Sequence, residues 1–209
     1  MMQNKKPRII IITGSIGTGK STAVNILKQK GFQVLDSDKI VHEGYNVGNK
    51  MYNEVLDYFG KDIINTDGTI NRQKLGQIVF NNENSLKKLN EIVHSSVFDE
   101  LVDGIKNCKD KVIFLDIPLA LEEKENIMKF NLNYDEIWLV YVNSDIQKER
   151  LKQRAISENK NPDDVLSIMH RQIPIEKKRQ MVDEVIMNEG TIEDLQIEIE
   201  KLLNKKCLS

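Results

Sequence analysis

Cysteine is scarce in this sequence, and long apolar runs are missing. Only two of its 209 residues are cysteine, Cys108 and Cys207, and neither belongs to a Cys-x-x-Cys or Cys/His cluster. This spacing excludes a disulfide framework and an ordinary structural zinc site. No apolar run approaches the roughly 20 residues of a membrane span. We therefore expect a cytoplasmic protein with reduced thiols and no membrane partner.

A charge excess of either sign is missing as well. The chain has 30 Lys and Arg residues against 32 Asp and Glu, a formal net charge of −2. Proteins that mainly grip nucleic acid usually carry a strong basic excess, so we expect no nucleic-acid partner. Any anionic ligand must instead be met by charge concentrated at particular places.

Short β-branched runs alternate with longer amphipathic segments along the chain. This alternation predicts an α/β fold with helices on both faces of a parallel sheet, because parallel strands need crossover connections. Five strands are predicted, at 8–13, 33–36, 112–117, 136–142 and 185–186. Helix starts are predicted at Lys20, at a capping box of Ser144 and Gln147, and after the N-caps Asn161 and Thr191.

The predicted strands are unevenly spaced. About 75 residues, 37–111, separate the second from the third, far more than a crossover needs. We expect one domain over 1–209 in which 37–111 is a helical insertion that binds substrate. A second, irregular stretch at 155–180 is dense in charge and is interpreted as a mobile lid.

Residues 14–21 read GSIGTGKS and match the phosphate-loop pattern G-x-x-x-x-G-K-[ST] at every fixed position. A buried strand precedes the loop and an amphipathic helix follows it, as a three-layer P-loop NTPase fold requires. Glycines let the backbone come close to an anion, and the helix N-terminus adds partial positive charge. The candidate nucleotide-binding residues are Gly14, Gly17, Thr18, Gly19, Lys20, Ser21 and Thr22.

Three side chains of this segment have specific predicted roles. Lys20 would reach the β- and γ-phosphates, and the Ser21 hydroxyl would hold Mg²⁺. Thr22 would either cap the following helix or touch the α-phosphate. The segment therefore predicts a nucleoside triphosphate and Mg²⁺ as ligands.

Two acids, Asp36 and Asp38, follow the second predicted strand. The carboxyl ends of parallel strands share one edge of the sheet, where ligands of open α/β sheets collect. Two residues apart in extended chain, the two carboxylates would point the same way. Asp38 could then accept the proton of an attacking hydroxyl. The alternative is that one of the two simply caps the helix expected near Lys39.

Several further motifs follow the phosphate loop in a fixed order. They are DSD at 36–38, DGTINR at 67–72, PLALE at 118–122, Q-x-x-R-x-x-x-R at 147–154 and VDEVIMNEG at 182–190. Together with the loop they span about residues 8–203, and this ordered set resembles the dephospho-coenzyme A kinase family. The loop alone is shared widely, whereas the set is specific.

The resemblance implies transfer of the γ-phosphate of ATP to the 3′-hydroxyl of dephospho-coenzyme A, the last step of coenzyme A synthesis. Asp38 matches the family's catalytic acid, and Arg154 matches a lid arginine that covers the ATP phosphates. Arg150 lies four residues before Arg154, on the same helix face. Asn188 matches a residue near the adenine of ATP.

The resemblance also implies where the acceptor, dephospho-coenzyme A, binds. Arg72 and His94 match polar positions of the insertion, and Asp36 and Leu119, from neighbouring motifs, are further candidate substrate-binding residues. Lys178 lies in a run of charges, EKKR at 176–179; it could face the nucleotide, although such a run is more typical of a solvated face.

Two other functions stay open at this point. One is a nucleoside or nucleotide kinase of the same superfamily, and the other is a nucleotide-dependent switch without an acceptor. A guanine-reading Asn-Lys-x-Asp is missing, because in NKNPD at 159–163 the acid comes one position late. We expect a monomer or a small homo-oligomer.

Overall fold

The structure, a computed structural model, describes residues 6–208. Its centre is a parallel five-stranded sheet, which confirms the predicted fold class. The strands follow the order β2-β3-β1-β4-β5 across the sheet. They are β1 (Arg8–Thr13), β2 (Gln33–Asp36), β3 (Val112–Asp116), β4 (Glu136–Tyr141) and β5 (Glu184–Met187).

Ten α-helices and one short 3-10 turn at Lys61–Ile63 connect and cover these strands within the described residues. The helices are α1 (Lys20–Gln29), α2 (Ser37–Gly44), α3 (Lys50–Phe59), α4 (Arg72–Phe80), α5 (Glu83–Asn107), α6 (Lys124–Lys129), α7 (Ser144–Ser157), α8 (Pro162–Arg171), α9 (Ile175–Arg179) and α10 (Ile192–Lys205). None of the helices described is long and apolar enough to cross a membrane.

The core lies on both faces of the sheet because the central strands are mostly apolar and almost wholly buried. In β1, all residues from Ile9 to Thr13 are buried. One face packs β1, β3 and β4 side chains such as Phe114 and Trp138 against α1 and α10. On the other face, Leu139 and Tyr141 of β4 pack against Ile175 of α9.

The chain divides into two compact units. The first comprises residues 6–35 and 105–208 of the described chain and holds nearly all of the sheet; the second is Asp36–Gly104 and is helical. The stretch 155–180, expected to be irregular, is largely helical, because α8 and α9 lie within it.

Three predicted helix starts have different outcomes. The caps at Asn161 and Thr191 are confirmed, and Thr191 and Asp194 form a reciprocal capping box. The box predicted at Ser144 is wrong. Asn143 caps α7 instead, because its side-chain oxygen accepts from the N–H groups of Asp145 and Ile146.

A network of ion pairs fastens α10 to the starts of β4 and β5. Lys206 Nζ lies 2.8 Å from Glu136 Oε2 and 2.7 Å from Glu184 Oε1, and Arg8 also pairs with Glu136. Burial alone would raise the pKa of Glu136, but hydrogen bonds from Lys206, Trp138 and Arg8 outweigh it and lower that pKa below its ordinary value. The folded structure therefore stabilises the ionised form of Glu136.

Candidate active site

The phosphate loop connects β1 to α1 in the first unit. Gly17 and Gly19 have φ angles of 81° and 82°, which favour glycine over other residues. A Cβ at Gly19 would also collide with the amide of Asn188. The loop ends at the N-terminus of α1, where the first backbone N–H groups have no intrahelical acceptor and are available to an anion.

Lys20, the first residue of α1, forms an ion pair with Asp116 at the end of β3. Both side chains are largely buried, with 13% of the lysine and 5% of the aspartate exposed. The pair forms because β1 and β3 are neighbours in the sheet and Asp116 lies in register with Ile12. The sequence analysis did not assign a role to Asp116.

The hydroxyl side chains of the loop do different work. Thr18 is fully buried, and its hydroxyl donates to the Ser15 carbonyl at 2.9 Å, so its side chain shapes the loop from within. Thr22 does not cap α1, because it lies inside the helix and the N-cap position is Gly19. Ser21 is exposed on the first turn of α1.

Oxygen donors that suit a divalent cation are present in the first unit. The Ser21 hydroxyl and the Asp116 carboxylate are hard oxygen ligands, the kind that Mg²⁺ prefers together with phosphate oxygens and water. Across residues 6–208, no group of three or more His, Cys, Asp or Glu side chains could hold a metal ion by itself. These residues fit a metal ion that arrives with a phosphate ligand.

Three carboxamide side chains hold the backbone of the phosphate loop. Gln147 Nε2 donates to the Ile16 carbonyl at 2.7 Å, and Gln172 Oε1 accepts from the Ile16 N–H at 3.1 Å. Asn188 Nδ2 donates to the Thr18 carbonyl at 2.8 Å. Among the three, only Asn188 was predicted to bind a ligand, whereas Gln147 was noted for a capping box and for the Q-x-x-R-x-x-x-R motif.

Helix α7 carries both predicted phosphate arginines. Arg150 is half-buried. The side chain of Arg154 is 61% exposed, and its Nε donates to Glu158 Oε1 at 2.7 Å. Lys160 bonds the same glutamate, and hydrogen bonds from Lys160 and Arg154 lower the pKa of Glu158 to about 2. Arg154 is thus held on the helix surface by a carboxylate that stays ionised.

Lys178 is not solvated, so that interpretation of the charge run was wrong. Its side chain is fully buried, and its Nζ lies 2.8 Å from Glu122 Oε1 in the PLALE motif. The same glutamate oxygen accepts from the Ile173 N–H at 3.0 Å. Glu122 thus fixes the turn between α8 and α9. Leu119, from the same motif, is half-buried in the turn after β3.

Asp36 and Asp38 begin the second unit. Asp36 caps α2, because its Oδ1 accepts from the Lys39 N–H at 3.0 Å. The two carboxylates therefore do not share an extended segment as expected, since the helix begins at Ser37, between them. Asp38 is exposed on the first turn of α2, where the helix dipole favours a negative charge.

A cationic side chain is held on an aromatic ring in the second unit. Arg72 Cζ lies 5.3 Å from the centroid of the Tyr45 ring, and Arg72 is also 3.5 Å from His42 Nδ1. Burial raises the pKa of Tyr45, and the neighbouring guanidinium acts in the opposite direction. His94 is half-buried on α5. Neither His42 nor Tyr45 was selected from the sequence.

Comparisons with known proteins identify relatives of this chain. The dephospho-CoA kinase (CoaE) family model matches residues 8–194. The dephospho-CoA kinases of Carboxydothermus hydrogenoformans and Lactobacillus acidophilus are 40% and 37% identical to this chain. Each alignment covers 94% of this chain, and 93% and 96% of the respective relative.

The resemblance extends to a solved structure. A dephospho-CoA kinase from Campylobacter jejuni superposes with a TM-score of 0.67 at 25% identity, covering 95% of this chain and 96% of the other. Sequence and fold thus match over nearly the full length. The chain belongs to the dephospho-CoA kinase family, whose members are ATP-dependent phosphotransferases.

Proposed function

We propose that this protein transfers the γ-phosphate of ATP to the 3′-hydroxyl of dephospho-CoA and so forms coenzyme A. The observation that carries the proposal is a complete phosphate loop in a chain that matches the family over residues 8–194. The reaction makes one P–O bond to the acceptor oxygen and breaks the bond to ADP, while the acceptor proton passes to a base.

The triphosphate is bound by the loop and the start of α1. Backbone N–H groups after Ile16 and the dipole of α1 attract the phosphates, and Lys20 neutralises the β- and γ-phosphates. Asp116 holds the Lys20 ammonium group within the protein before nucleotide arrives. Much of the catalysis of phosphoryl transfer consists of such positioning and charge stabilisation.

Mg²⁺ is part of the proposal. Ser21 would bind it directly, and Asp116 supplies a carboxylate from the end of β3. When bound, the ion neutralises charge on the phosphate oxygens.

Asp38 is proposed as the base that orients the acceptor hydroxyl and takes its proton. It comes two residues after the end of β2, on the first turn of α2. An exposed carboxylate there can reach a ligand without displacing packed side chains. Asp36, which caps the same helix, is proposed to contact the acceptor.

Arg154 and Arg150 are proposed to stabilise the charge on the transferring phosphate. Both lie on α7, whose neighbour α8 belongs to the proposed lid, 155–180. Before it could cover phosphate, Arg154 would have to exchange its bond to Glu158 for a phosphate oxygen. A guanidinium makes charge-assisted bonds to phosphate as readily as to carboxylate.

The second unit is proposed to bind dephospho-CoA. Arg72, braced by Tyr45, offers a guanidinium to the diphosphate of the acceptor, and His94 adds a polar contact. Leu119 is proposed as an apolar contact of the acceptor. Asn188 would approach the adenine of ATP with its Oδ1, since its Nδ2 is bonded to Thr18. A cytoplasmic location and a monomer or small homo-oligomer complete the proposal.

A panel of acceptors tests this function. ADP release from Mg-ATP is followed with dephospho-CoA, with adenosine and with AMP, and Lys20→Ala serves as the inactive control. We expect turnover with dephospho-CoA to exceed that with the other acceptors by about 10²-fold or more, because a site built for an acceptor rejects analogues that leave its polar groups unpaired. Equal rates with adenosine, or ATP hydrolysis that ignores the acceptor, would contradict the proposal.

A further inference from the structure

Two glutamines hold opposite sides of one residue in the phosphate loop. Gln147 of α7 bonds the carbonyl of Ile16, and Gln172, just after α8, bonds its N–H. Gln147 is only 2% exposed. A Cβ at Gly17 would lie 2.9 Å from Leu151 Cγ, so α7 also packs directly on the loop. The peptide groups on both sides of Ile16 are thereby fixed in orientation.

Gln172 is itself held in place from a second direction. The next residue, Ile173, donates its N–H to Glu122 Oε1, and the buried Lys178 ammonium lies 2.8 Å from the same oxygen. Glu122 follows β3, so it ties the turn between α8 and α9 to the sheet. The backbone next to Gln172 is therefore held by Glu122 at the end of the segment that contains α8. From this position the side-chain amide of Gln172 reaches the phosphate loop.

We propose that Gln147 and Gln172 are positioning residues that hold the phosphate loop in its triphosphate-binding shape, and that Gln172 links the segment 155–180 to that shape. The proposal rests on the function proposed above. Each glutamine uses one polar atom in a hydrogen bond to Ile16, and neither is assigned a contact with a substrate. Their effect reaches the phosphates through the backbone of the loop.

The physical reason is preorganisation. The loop binds phosphate through N–H groups after Ile16, and these converge only if the preceding peptides are correctly turned. A loop that is correctly turned only part of the time binds ATP more weakly by that fraction. Because both bonds hold one residue, losing the first loosens the loop, and losing the second then adds less. The two substitutions should therefore not be additive.

The experiment measures a double-mutant cycle of Gln147→Met and Gln172→Met in the full chain, with dephospho-CoA as acceptor. Methionine is close in size to glutamine, cannot donate to the Ile16 carbonyl and is only a weak acceptor for the Ile16 N–H. Gln153→Met is the matched control, because Gln153 is an exposed residue of the same helix whose Nε2 donates to Glu149 Oε1 at 2.8 Å. Melting temperatures without nucleotide report folding, and KM for each substrate and kcat report function.

We expect each single variant to raise KM for ATP about 2- to 12-fold, the range that one neutral hydrogen bond supports. KM for dephospho-CoA should stay within about twofold of the wild-type value. The factor by which the double variant raises KM for ATP should be smaller than the product of the factors of the two single variants. If Gln147→Met does not fold, the KM values of Gln172→Met alone test the inference. The inference would be overturned if the variants had the same KM for ATP as Gln153→Met, or if they raised KM for ATP and KM for dephospho-CoA equally. An inactive wild-type protein would instead refute the proposed function.

Discussion

The ammonium group of Lys20 is paired with the carboxylate of Asp116, 96 positions later in the chain. The register of β1 against β3 brings these residues together. Since both side chains are largely buried, the pair fixes the lysine that the phosphate loop offers to ATP.

Asp116→Asn should therefore weaken catalysis. The substitution removes the charge that holds Lys20 and a carboxylate available to Mg²⁺. A hydrogen bond to a charged group contributes about 1.5–3 kcal/mol, so we expect kcat at saturating ATP to fall about 10- to 150-fold. Steady-state kinetics beside the exposed control Asp110→Asn would check this. A wild-type kcat in Asp116→Asn would show that Lys20 does not need this partner.

Asp38→Asn separates proton transfer from nucleotide binding. Asparagine cannot take the proton of the acceptor hydroxyl, so we expect kcat to fall about 10²-fold or more, the scale of general-base catalysis. The affinity for ATP, measured by calorimetry, should stay near the wild-type value. If turnover were retained, another group or water would be the base. Asp67→Asn, in an exposed turn of the same unit, is the matched control.

Arg154 and its partner Glu158 should respond in opposite ways to substitution. Arg154→Gln removes a cation from the transferring phosphate and should lower kcat by about 10²-fold or more. Glu158→Gln frees the arginine from a surface bond and should leave kcat at or above that of the wild type. Because hydrogen bonds from Lys160 and Arg154 lower the pKa of Glu158 to about 2, the Arg154–Glu158 ion pair should persist across pH 5–8. A loss of kcat in Glu158→Gln equal to that in Arg154→Gln would contradict this account.

Glu136 should make the stability of the protein sensitive to acid. Its pKa is lowered in the folded state, so its contribution is complete above the ordinary value of 4.5 and is lost as the pH falls through the lowered value. Glu136→Gln should lower the free energy of unfolding at pH 7 by about 1–3 kcal/mol. Urea unfolding at pH 7 and pH 4 checks this. The difference between wild type and variant should shrink at pH 4, and a constant difference would exclude the ionised pair as its cause.

Much of the fold could be predicted because it depends on local pattern. The β-branched runs, the phosphate loop and the caps at Asn161 and Thr191 all signal structure within a few residues. The capping box predicted at Ser144 was wrong, which shows that local sequence patterns locate the ends of a helix poorly. Asn143, one residue earlier, is equally able to cap a helix, and the structure uses it.

The parts of the site that were missed depend on contacts between distant segments. Asp116 lies in a predicted strand, but its pairing with Lys20 follows from the order of the strands in the sheet. Gln147 and Gln172 are neutral amides, and nothing in their spacing marks them as partners of Ile16. Lys178 looked solvated because its neighbours are charged, whereas its position in α9 places it against Glu122.

The identity of the phosphorylated product tests the central claim most directly. Purified protein is incubated with Mg-ATP and dephospho-CoA, ADP is quantified, and the position of the new phosphate on the acceptor is determined by NMR. The account predicts one 3′-phosphorylated product, coenzyme A, for each ADP, with both formed about 10²-fold or more slowly by Asp38→Asn. ADP formed without phosphorylated acceptor, or phosphate at any other hydroxyl, would contradict it.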